Sequence, residues 1–109
     1  MSEPGSMKKQ NVKPVSKTVV VRNSLGMHGR PCMCFVDRAN QFASEIVVEK
    51  LGEDEEYKAD GKSFMQMVSL APVKGSCIAI HAIGEDAEEA VKALSDLVES
   101  GFGEYFGLG

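Results

Sequence analysis

The chain has only three cysteines in 109 residues. An odd, sparse set is a poor framework for the disulfides that staple small secreted domains. No apolar run approaches the roughly 18–20 residues that a membrane-spanning helix needs. The opening stretch, MSEPGSMKKQNVKPVSK, lacks the apolar core of a secretory signal. These absences point to a cytoplasmic protein without membrane insertion. There is also no excess of basic charge: 12 lysines and arginines face 16 acidic residues, for a net charge of −4. Nonspecific nucleic-acid binders carry a basic face, so nucleic acid is not the expected partner. No segment is repeated.

What is present fits one globular domain, with 43% hydrophobic and 26% charged residues. Residues 1–16 are polar and contain Pro4, Gly5 and Pro14, and read as a mobile leader. The folded domain is expected over 17–104, followed by a short tail over 105–109. KTVVVRN, rich in β-branched residues, predicts a strand over 17–23. Cys32, Phe35, Val36 and Ala39 then follow helical spacing, and Pro31 suits a first turn, which predicts a helix over 30–41. SEIVVEK predicts a strand over 44–50, GEDE a turn, and EYKAD a short third strand. Ser63 is a candidate N-cap for a short helix over 64–70. SCIAIHA predicts a strand over 76–82 with Ile78, Ile80 and Ala82 on one face and Cys77, Ala79 and His81 on the other. The last helix has Asp86 as its expected N-cap, an apolar stripe of Ala87, Ala90, Val91, Leu94 and Val98, and Gly101 at its end. The order β-α-β-β-α-β-α implies an α+β two-layer sandwich, an antiparallel sheet with helices on one face and the other face wet.

The segment GMHGRPCMC, residues 26–34, concentrates the reactive side chains. Cys32 and Cys34 are two apart on a helix and so point about 200° apart. They cannot clamp one metal as a CxxC knuckle does. Cys32 falls on the core stripe, and Cys34 does not. Cys77 and His81 share a strand face, but two ligands make no metal site. His28 is placed differently, in a glycine-flanked loop just before a helix start. Free N–H groups and the positive end of the helix dipole gather there, a setting that binds phosphate or carboxylate. The same field favours a neutral ring with a nitrogen free to attack. Arg30 adds a planar donor fork for an oxyanion. Two readings stand on these local features: a surface or capping histidine, and a histidine that accepts a phosphoryl group.

LGMHGRPCMCFVDRANQF resembles the active-site segment of HPr, the histidine-containing phosphocarrier family of the bacterial phosphoenolpyruvate-dependent sugar phosphotransferase system, whose pattern is G-[L/M]-H-x-R-P followed by a helix. DGKSFMQMVSLAPVKGSCIAIHAIGEDAEEAVKAL is similar to the family's second segment. The resemblance runs over about 17–104. It implies an open-faced sandwich of four antiparallel strands under three helices. It also implies that His28 takes a phosphoryl group on Nδ1 from phospho-enzyme I and passes it to enzyme IIA domains. Arg30 matches the arginine beside the phosphate. Gly29, Arg30 and Pro31 form the helix start that would stabilise it. Ser63 matches the serine phosphorylated by HPr kinase/phosphorylase, and Phe64, Met65 and Val68 match the apolar partner surface. Such a carrier is a phosphoryl-transfer intermediate more than a turnover enzyme, needs no cofactor or metal of its own, and suits a monomer. The chain departs from the family at Cys32 and Met33, where small residues are usual, and in its longer leader and tail. A regulatory paralog, acting as a phosphorylation-controlled binding module, is the alternative reading.

Overall fold

The computed structural model describes residues 13–24, 26–52 and 57–103. Four strands, β1 (Val15–Val20), β2 (Glu45–Lys50), β3 (Tyr57–Asp60) and β4 (Cys77–Ile83), form one antiparallel sheet in the order β1-β4-β2-β3. Three helices, α1 (Arg30–Ala39), α2 (Phe64–Leu70) and α3 (Ala87–Glu99), cover one face, and a 3₁₀ turn follows at Gly101–Gly103. This is the expected two-layer architecture. Among the described residues no helix is long and apolar enough to cross a membrane.

Period-2 burial on the strands meets period-3.6 burial on the helices. Val19, Ile46, Val48, Ile78, Ile80 and Ala82 face the helices, and Phe35, Met67 and Leu94 fill the space between the layers. Each large side chain fully buried there stabilises the fold by roughly 1.5–3 kcal/mol. The whole expected stripe of α3, from Ala87 to Val98, is buried. Cys32 packs in the core while Cys34 and Cys77 are exposed, as the helical and strand periods require. Burial pushes the Cys32 thiol pKa up.

Element ends differ from the sequence expectation where tertiary contacts set them. β1 starts at Val15, inside the stretch read as leader, because Val15 and Ser16 pair with Ala82 and His81. It stops at Val20, although Val21 still donates to Ser76 and accepts from Gly75. α1 stops at Ala39 because Asn40 turns its side-chain amide back onto the Val36 carbonyl. Asp86 occupies the N-cap position of α3 but does not cap it. Its carboxylate reaches across to the segment before β2, accepting from the Ala43 amide at 2.9 Å, the Ser44 amide at 3.0 Å and the Ser44 hydroxyl at 2.5 Å. Most of the GEDE turn, the start of EYKAD and the tail beyond Gly103 lie outside the described residues.

Candidate phosphoryl-transfer site

The loop before α1 is shaped by Asn23. Its backbone carbonyl accepts from the Gly26 amide at 3.1 Å, and its side-chain amide donates to the Gly26 carbonyl at 2.7 Å. Asn23 is buried, so this closed turn is shielded from competing water. Gly26 has φ 64°, and a Cβ there would lie 2.7 Å from the Pro72 carbonyl oxygen. Only glycine lets the loop lie this close to the segment after α2. Met27 is fully buried, and its amide donates to the Pro72 carbonyl at 2.9 Å. The next residue, His28, is thereby turned outward.

His28, Gly29 and Arg30 are all exposed. Gly29, with φ 58° and ψ −125°, is the N-cap residue of α1, and no side chain caps this helix. His28 is therefore exposed and does not cap the helix. Pro31 has no N–H, and the Met33 amide donates to the Gly29 carbonyl at 3.1 Å. Among the described residues the amides of Arg30 and Cys32 are left as orphan donors at the mouth of the helix, with the positive dipole end behind them. Neither His28 nor Arg30 has a side-chain hydrogen bond or ion pair among the described residues. The place combines a reachable imidazole, a free guanidinium and unpaired N–H donors.

Ser63 sits elsewhere. It caps α2, its hydroxyl accepting from the Gln66 amide at 3.2 Å. α1 and α2 run antiparallel. The Met27–Pro72 bond ties the start of α1 to the end of α2, and the Asn40 side chain donates to the Lys62 carbonyl at the opposite ends. Ser63 is thus separated from the His28 end by the length of α2, roughly 10 Å at 1.5 Å per residue. Between them lie Phe64, Met65 and Val68, which are 40%, 76% and 37% exposed, while Met67 and Leu70 of the same helix are buried. Met33 on α1, a departure from the family's small residues, is also exposed, and so is Val73, which the sequence reading did not single out. The Val73 Cα is 2.9 Å from where a Cβ on Gly26 would stand, which puts it beside the His28 loop. Asn23, Met27 and Pro72 were also missed. Only the turn preference of Asn and Gly in RNSLG hinted at them. No group of three or more potential metal-binding His, Cys, Asp or Glu residues occurs among the described residues.

A family model described as "PTS HPr component phosphorylation site" matches residues 15–100, so the chain belongs to the HPr phosphocarrier family. The chain is 37% identical over 90 residues to the phosphocarrier protein HPr of Neisseria meningitidis serogroup A, covering 83% of this chain and 97% of that one. It is 42% identical over 90 residues to a multiphosphoryl transfer protein of Salmonella typhimurium, covering 83% of this chain but only 24% of that protein. The chain therefore spans about a quarter of the length of such multiphosphoryl relatives. The crystal structure of HPr-C-His from Thermoanaerobacter tengcongensis superposes with a TM-score of 0.76 at 42% identity, covering 83% of this chain and 97% of that one.

Proposed function

We infer that the chain carries a phosphoryl group on His28, received from phospho-enzyme I and delivered to enzyme IIA domains in phosphoenolpyruvate-dependent sugar uptake. The observation that carries this reading is the exposed imidazole of His28, unpaired among the described residues, directly before the uncapped start of α1. A ring nitrogen of His28 attacks the phosphorus held on the donor histidine. The new N–P bond forms as the donor N–P bond breaks, and the same exchange run onward discharges the carrier. The protein supplies position and charge, as phosphoryl transfer demands. Arg30 and the orphan amides of Arg30 and Cys32 meet the negative oxygens. Docking uses Phe64, Met65 and Val68, a small apolar surface suited to partners that bind and leave. The carrier acts as a monomer in the cytoplasm, through the folded domain that opens with β1 at Val15.

Ser63 is the regulatory position of this reading. A phosphate transferred there from ATP by an HPr kinase/phosphorylase would set about −2 charge against Phe64 and Met65, obstructing one docking mode and offering an arginine-bearing partner another. The test is intact mass after incubation with phosphoenolpyruvate and enzyme I. A single acid-labile phosphoryl gain, lost in His28→Ala and retained in Ser63→Ala, is expected. Labelling by ATP and kinase alone, with a competent enzyme I inactive, would replace this reading with a purely regulatory module.

A further inference from the structure

The sheet face away from the helices holds a second histidine in a different setting. Ser16 on β1 and His81 on β4 are direct cross-strand partners, and the Ser16 Oγ lies 2.7 Å from His81 Nδ1. On the other flank β2 places Val47 opposite His81 and Glu49 opposite Ala79. Glu49 therefore reaches the ring diagonally, with Oε1 3.1 Å from Nε2. Direct and diagonal neighbours on one sheet face are close enough for such contacts.

The partners assign the proton positions of the neutral ring. An ionised carboxylate only accepts, so Nε2 carries the hydrogen and donates to Glu49. Nδ1 then keeps its lone pair and accepts from the Ser16 hydroxyl. The His81 and Glu49 side chains are 30% and 25% exposed, whereas Ser16 is open to solvent. The next pair along this face, Thr18 and Ala79, is small, which leaves the hydroxyl approachable. A nucleophile, a base within hydrogen-bond reach and a third group orienting that base stand in series.

We propose that Ser16 is an activated nucleophile that accepts an acyl group from small activated carboxylic esters, with His81 as its general base and Glu49 as a positioning residue. Ser16 Oγ attacks the ester carbonyl carbon while its proton moves to His81 Nδ1. The bond from that carbon to the leaving oxygen breaks, and the imidazolium returns the proton to the departing alcohol. Glu49 steadies the imidazolium through Nε2–H. The products are an acylated Ser16 and a free alcohol, with no further reactant consumed. The site stands on the sheet face away from the helices and works independently of His28.

The probe is p-nitrophenyl acetate, applied in a His28→Ala background so that acetylation of that imidazole does not contribute. Release of p-nitrophenolate and peptide mass mapping should locate one acetyl group on Ser16, absent in Ser16→Ala. General-base assistance contributes typically 10²–10⁴-fold, so His81→Gln should slow Ser16 acetylation ~100-fold and Glu49→Gln should slow it by a smaller factor, ~10-fold. Thermal melts of each variant separate lost reactivity from lost fold, and Glu49→Gln, which keeps an acceptor for Nε2–H, remains informative if His81→Gln is unstable. Equal Ser16 acetylation rates with and without the His81 and Glu49 side chains, or acetylation confined to lysines, overturn the proposal.

Discussion

The Met27 amide donates to the Pro72 carbonyl at 2.9 Å, so the residue before His28 is held by the segment that ends α2. The His28 loop and the exposed apolar side chains of α2 are therefore parts of one unit. Moving either element shifts the imidazole relative to the surface at which a partner would dock.

Two glycines test that coupling separately. Gly26→Ala would place a Cβ at φ 64° and 2.7 Å from the Pro72 oxygen, against backbone that cannot yield cheaply. Left-handed backbone and overpacking together should cost about 2–4 kcal/mol. Gly29→Ala carries the φ strain, at 58°, but a Cβ there meets nothing within 4 Å. Its cost should be ~1–2 kcal/mol, confined to the N-cap. Urea midpoints should rank the two in that order. Phosphorylation by enzyme I should fall in both, because both displace His28.

The Asp86 carboxylate ties the start of α3 to Ala43 and Ser44. The Ser44 hydroxyl and then the Ala43 amide hold its pKa below the ordinary value. A carboxyl depressed in the folded state contributes stability that is complete above its unfolded pKa, near ~4, and is lost as pH falls through the lower folded value. The melting temperature of the protein should therefore drop as pH falls below ~4 by more than that of Asp86→Asn. At neutral pH the variant should melt lower. Parallel curves for the two proteins across this window would refute the assignment.

The contrast between α3 and Asp86 shows what is legible in a sequence of this kind. The stripe from Ala87 to Val98 repeats within one helix, so local period alone predicts its burial. The same argument separates Cys32 from Cys34. Asp86 reads as a cap because local rules see only its neighbours, yet its partners stand 42 and 43 residues away. The Ser16–His81–Glu49 chain is likewise invisible until strand register brings the three together. For the candidate site, the exposed histidine before a proline-led helix is local and was legible. The Asn23 turn and the Pro72 anchor that aim it depend on the return of α2, and they were not.

Ser63 has a structural duty apart from any phosphate. Its hydroxyl accepts from the Gln66 amide, so Ser63→Ala should cost ~1 kcal/mol in denaturant unfolding. Ser63→Asp keeps an acceptor at the cap and should recover most of that stability. If the negative charge beside Phe64 governs docking, the aspartate variant should be slower than the alanine variant in accepting phosphoryl groups despite being more stable. The opposite order would separate Ser63 from partner choice.

Neighbouring methionines on α2 offer the sharpest division between folding and docking. Met67 is fully buried, and Met67→Ala should cost roughly 2–5 kcal/mol through lost burial and the cavity left behind. Met65 is 76% exposed, and Met65→Ala should move stability by no more than about 0.5 kcal/mol. Its effect should appear in the rate of phosphoryl exchange with enzyme I, where removal of a protruding apolar side chain weakens the encounter and raises KM with kcat little changed. A Met65→Ala protein that exchanges phosphoryl groups at the wild-type rate would remove this residue from the docking surface, leaving Phe64 and Val68 to account for it.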